Sequence, residues 1–127
     1  MNSHARVLVV GRDEMLLRTR VMILGAFFVA QGAGRFPEAT AAMKRSKFDL
    51  IVLCHSLTCD ESEALAVLAH EQIPRPLILA VNSSSRANVR TWADKQLGMD
   101  AGPYALVKKC AEMLGFVLKS KARAAHV

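Results

Sequence analysis

The sequence predicts an α/β fold, a doubly wound five-stranded parallel sheet in three layers with helices on both faces. Two observations carry most of this prediction. Short apolar runs rich in β-branched residues alternate with helical patterns five times along 127 residues. The strongest runs, Val7-Leu8-Val9-Val10, Leu50-Ile51-Val52-Leu53 and Leu77-Ile78-Leu79-Ala80-Val81, are continuous, as strands covered on both faces should be. The length agrees with one domain, large enough to bury its own core without a disulfide or metal staple.

The elements follow in order. After the first strand, Val7-Leu8-Val9-Val10, Asp13 caps a helix whose inward stripe is Leu17, Val21 and Leu24, spaced i, i+4, i+7. Gly25 is its stop. Phe27-Phe28-Val29-Ala30 reads as the second strand, broken by Gly32 and Gly34. Pro37 suits the first turn of a helix running to about Ser46. The third strand spans 49–54. Thr58-Cys59-Asp60-Glu61 has the spacing of a capping box with Thr58 and Glu61 as reciprocal partners, and Asp60 with Glu63 is an alternative register. The helix that follows turns Leu65, Leu68 and Ala69 inward. Pro74 and Pro76 precede the fourth strand over 77–81. Asn82-Ser83-Ser84-Ser85 is a polar loop, with Ser85 as N-cap of a short helix through Val89 and Trp92. A brief fifth strand falls at 96–99, and Gly102-Pro103 opens the last helix. Its apolar stripe is Leu106, Val107, Cys110, Met113, Leu114, Val117 and Leu118, with Lys108, Lys109, Glu112 and Lys119 on the solvent side. Right-handed crossovers leave few topologies, and the flavodoxin-like strand order 2-1-3-4-5 is the common solution at this length. In that order Gly11-Arg12-Asp13 and Cys54-His55-Ser56 meet at the switch point of the sheet, where ligands bind.

Composition narrows the function. No apolar run approaches a membrane span, and residues 1–6 lack the pattern of a signal peptide, so the expected address is the cytoplasm. Three cysteines, Cys54, Cys59 and Cys110, do not make a disulfide framework. The net charge of +6 lies partly in Arg18, Arg20 and the tail, read as a solvated basic face rather than a nucleic-acid footprint. No Ser-His-Asp order, Gly-rich nucleotide loop or standard zinc spacing is present, so an enzyme is not expected. A domain over 1–119 and a basic, flexible tail over 120–127 complete the organisation.

From about Arg6 to Leu118 the chain resembles a response-regulator receiver domain of two-component signalling. The resemblance rests on Val7-Leu8-Val9-Val10, on Phe48-Asp49-Leu50-Ile51-Val52-Leu53-Cys54 and on the stretch from Pro76 to Val81, with Phe48-Asp49 the sharpest part. It implies a site with four parts. An acidic pair after strand one and an acceptor aspartate after strand three hold Mg²⁺ through hard oxygens. A hydroxyl after strand four and a lysine after strand five bind the phosphoryl group. In this chain the acidic pair falls on Gly11 and Arg12, the acceptor on Cys54, and the hydroxyl on Val81, or on Ser83 in a register slipped by two. Lys108 superficially fits the lysine, but the helical stripe places it on the surface. Asp13 and Glu14 serve as cap and first-turn acids.

The expectation is a stand-alone pseudo-receiver of a phosphorelay that has lost the phospho-acceptor, needs no Mg²⁺ or other cofactor, and acts by protein–protein binding. Arg12 is expected to occupy the vacated space. The partner surface implied by the resemblance is the face of the fourth helix, fifth strand and last helix, with Trp92, Met99 and Tyr104; a homodimer is one arrangement it allows. Two alternatives stand beside this one: a conventional phosphorylated regulator using a substitute acid such as Asp13 or Asp60, and a redox sensor at Cys54. For Cys54 the plainer expectation is a small, buried apolar residue.

Overall fold

A computed structural model describes residues 5–82 and 92–115. β1 (Arg6–Val10) lies inside the sheet, with β2 (Val29–Ala33) on one side and β3 (Leu50–Leu53) on the other. β4 (Leu77–Asn82) and β5 (Lys95–Gly98) extend it beyond β3, all parallel, in the order β2-β1-β3-β4-β5 that the alternation predicts. The register aligns Val9 with Val52 and Val52 with Leu79, so branched apolar side chains form rows across the sheet.

Successive residues of each strand point to opposite faces, and each face has its own cover. Leu8, Val10, Ile51, Leu53 and Ile78 pack in a core with the buried faces of α2 (Phe36–Arg45) and α3 (Cys59–His70). Val7, Val9, Leu50, Val52, Cys54, Leu79 and Val81 pack with those of α1 (Glu14–Gly25) and α4 (Pro103–Leu114). Each fully buried aliphatic side chain contributes roughly 1.5–3 kcal/mol relative to exposure, which makes these two layers the main source of stability.

The helix ends follow the sequence signals. The Asp13 carboxylate accepts the Leu16 N–H at 3.1 Å. Both halves of the capping box are made: Thr58 Oγ1 accepts the Glu61 N–H and Glu61 Oε1 accepts the Thr58 N–H, each at 3.1 Å. α4 ends where Gly115 takes φ 78°, a left-handed turn that a side chain would strain.

The second strand departs from the prediction. The Phe28 N–H bonds the Leu24 carbonyl at 2.8 Å and its ring is buried with the α1/α4 core, so the phenylalanine pair closes the helix and the strand starts at Val29. Gly32 lies within β2 and does not break it. A Cβ there would meet Val21 Cγ2 at 2.9 Å, so the absence of a side chain is what lets α1 settle on the sheet edge. β5 begins and ends one residue earlier than expected. Trp92 sits in a turn rather than in a helix. Ser83, Ser84, Ser85 and Val89, together with Val117, Leu118, Lys119 and the tail over 120–127, lie outside the described residues. Among the described residues, no helix is long and apolar enough to cross a membrane.

Candidate functional site

The carboxyl ends of β1 and β3 bring Gly11 and Cys54 side by side. The Gly11 N–H donates to the Ala33 carbonyl at 3.1 Å, and the Cys54 N–H to the Val10 carbonyl at 2.9 Å, so both backbones are held in line with the sheet. A Cβ on Gly11 would lie 3.1 Å from Cys54 Cβ, 3.3 Å from its sulfur and 3.3 Å from Ser56 Oγ. A carboxylate side chain at this position would have to displace the neighbours that now close the edge.

Ser56, expected at the switch point but given no role there, ties the two loops together. Its hydroxyl accepts the Arg12 N–H at 2.8 Å and faces the Asp13 N–H at 3.3 Å. No local pattern announces this contact, because the partners lie more than forty residues apart in sequence.

Arg12 does not fill the vacated space as expected. Its guanidinium turns outward and forms a two-pronged pair with Glu61, Nε to Oε1 at 3.0 Å and Nη2 to Oε2 at 2.6 Å. Such a fork matches the planar carboxylate and also raises the arginine's own proton affinity. Glu61 thus serves two loops, since Oε1 also completes the α3 cap. The hydrogen bonds from Arg12, and next the Thr58 N–H, hold its carboxyl far below the usual range, at about 2.

The cation beside Cys54 is Arg20, from α1. Its side chain is buried, with 9% of the residue's surface exposed, and lies within hydrogen-bonding and electrostatic reach of the Cys54 sulfur. This corrects the assignment of Arg20 to a solvated basic face. Arg18 does face solvent, 3.7 Å from Glu14, but Arg20 falls four residues after Leu16 and four before Leu24, on the buried side of the helix. That spacing was the available signal.

Cys54 is 2% exposed. Burial pushes its thiol pKa up, while Arg20 pulls it partly back, so the neutral thiol prevails at neutral pH. Cys110 is pushed up to about 12 by burial alone, and the exposed cysteine is Cys59. Val81 is buried in the α1/α4 core, and the polar contact at the end of β4 belongs to Asn82, whose Nδ2 donates to Gln96 Oε1 at 2.6 Å. The residue after β5 is Met99, not a lysine, and Lys108 is exposed on α4, as its stripe predicts.

These donors do not fit Mg²⁺, which asks for several hard oxygens in octahedral array. Gly11 offers no side chain, Arg12 and Arg20 are cations, Cys54 is a buried thiol, and Asp13 is engaged as a helix cap. Among the described residues no three of His, Cys, Asp and Glu converge as ligands. Of the three residues suggested as a partner surface, Trp92 is half-buried against the α2/α3 core, whereas Met99 and Tyr104 are 38% and 48% exposed.

The fold is that of receiver domains. A CheY-like response-regulator receiver domain protein from Methanospirillum hungatei superimposes with a TM-score of 0.77 at 23% identity, over 89% of this chain and 95% of that one. The chemotaxis response regulator CheY4 of Vibrio cholerae gives 0.76 at 17% identity, over 87% and 99%. An orphan response regulator of H. pylori gives 0.75 at 15% identity, over 90% and 99%. No protein-family model and no curated protein matches the sequence.

Proposed function

We propose that the chain is a receiver-like module of two-component signalling, non-catalytic and cytoplasmic, which takes no phosphate at the usual position and works by binding a protein partner. One observation carries the proposal: the strand ends that would hold the acid cluster and acceptor present Gly11, Arg12 and the buried thiol of Cys54. A receiver's acids repel one another and need a divalent cation to offset them, whereas here the two loops are joined by the Ser56 hydroxyl and by the Arg12–Glu61 fork. The partner surface is expected at Met99 and Tyr104, beside α4, because exposed large side chains of these types anchor interfaces.

The test is incubation with acetyl phosphate and Mg²⁺ followed by intact mass. The expected result is an unchanged mass; a stable aspartyl-phosphate adduct on Asp13, Asp60 or any other acid would overturn the proposal. Capture of the same partner from the native host by the wild type, with loss in a Tyr104→Ala variant, would place the contact surface.

A further inference from the structure

A buried arginine that pairs with no acidic side chain is an anomaly that the receiver-like reading does not absorb. All 11 acidic side chains belong to described residues, and none forms an ion pair with Arg20. Burying a guanidinium costs several kcal/mol unless a counter-charge offsets it. The neighbouring Cys54 supplies a sulfur, which as a neutral thiol does not balance the charge.

Arg20 also lines a cavity of about 140 Å³ at the carboxyl edge of the sheet, between α1, the ends of β4 and β5, and the start of α4. The remaining wall is mostly apolar: Ile23, Val81, Leu97, Met99 and Leu106. Thr19 is the other polar side chain on it. A dry apolar cavity of roughly 150 Å³ holds one benzene ring. Small-molecule sites combine such a wall with a few polar groups that fix orientation.

We propose that this cavity binds a small organic anion with a ring-sized apolar body, an aromatic carboxylate in its simplest form. The carboxylate sits on the Arg20 guanidinium and the ring among Val81, Leu97 and Leu106. A two-oxygen anion matches the planar fork of an arginine, and its charge supplies what the protein omits. The site thereby reverses the polarity of a receiver pocket, holding an anion on a fixed cation.

The probe is benzoate, with benzamide as a neutral ligand of the same shape, followed by ¹H–¹⁵N NMR on the full chain. Benzoate is expected to shift the amides of Leu97, Gly98 and Leu106 saturably, and benzamide to bind at least about tenfold more weakly. At ten times its dissociation constant benzoate should raise the melting temperature by roughly 5 °C. Arg20→Leu should abolish both responses. Lack of saturation up to about 10 mM, equal binding of benzamide, or shifts confined to other parts of the chain would each overturn the proposal. The benzoate–benzamide comparison decides it on the wild type alone if the variant does not fold.

Discussion

The two faces of the sheet use the same strands and bury different things. The α2/α3 face packs Leu8, Val10, Ile51, Leu53 and Ile78 against alanines, Met43 and leucines, and the polar side chain that α3 buries beside them is the uncharged Ser62. The α1/α4 face packs Val7, Val9, Val52 and Leu79 in the same manner, but it also takes in two thiols and stands beside the buried guanidinium of Arg20. Alternation along a strand explains how this is possible: Leu53 and Cys54 are neighbours in sequence and belong to different cores. Among the described residues the buried cation and the two buried thiols thus lie on one side of the sheet.

That division can be broken by substitution. The largest effect is expected from Ile51→Ala, which removes a side chain 1% exposed from the apolar face. A loss of about 3–4 kcal/mol in urea unfolding is expected, the transfer cost plus that of the cavity. A loss under about 1 kcal/mol would show that this face collapses around the gap and does not dictate the fold. Arg20→Leu should act in the opposite direction on the other face, raising stability by about 1–2 kcal/mol, because a buried cation that pairs with no acidic side chain is exchanged for apolar contact. Destabilisation by that variant would make the guanidinium a member of the core.

The smallest effect is expected at the loops. Glu61→Gln keeps one acceptor oxygen for the Thr58 N–H and Arg12 Nε but removes the charge and the acceptor for Arg12 Nη2, at a cost of about 0.5 kcal/mol at neutral pH, since the Arg12 end of the pair is exposed. Its pH dependence is more telling. The folded carboxyl titrates at about 2, below its ordinary 4.5, so the unfolded chain takes up the proton first. The stabilisation is fully present above the ordinary value and is lost as pH falls from there toward 2. Unfolding curves across that window should be flatter with pH in Glu61→Gln than in the wild type; identical slopes would remove the pair from the stability of the loop.

Much of this was legible in the sequence, and the gaps have physical reasons. The runs at Val7, Leu50 and Leu77 stood out because a strand buried on both faces must be apolar at every position. The edge strands did not: β2 contains Gln31 and Gly32 and β5 contains Lys95 and Gln96, and an edge tolerates such residues. Capping by Asp13 and Thr58 was readable because cap and partner lie within one turn. That Gly11, Arg12 and Cys54 follow the apolar runs of β1 and β3, with no carboxylate among the three, was readable position by position. That the Arg12 and Ser56 segments meet followed from the strand order, but the fork from Arg12 to Glu61 and the bond to the Ser56 hydroxyl did not, because side-chain direction is set only in the folded loops. Arg20 was misjudged for a different reason: charge was weighed ahead of helical phase, and phase was correct.

The strand order has a consequence for the birth of the molecule. Synthesis delivers β1, then β2 for one of its edges, then β3 for the other; β4 then pairs with β3, and β5 with β4. Each arriving strand meets an edge already made, and none must be threaded between two others. Parallel pairing is slow because long loops must close before contacts reward them. An assembly that grows outward from β1 in the order of translation shortens the time during which an unpaired apolar edge stands open to other chains.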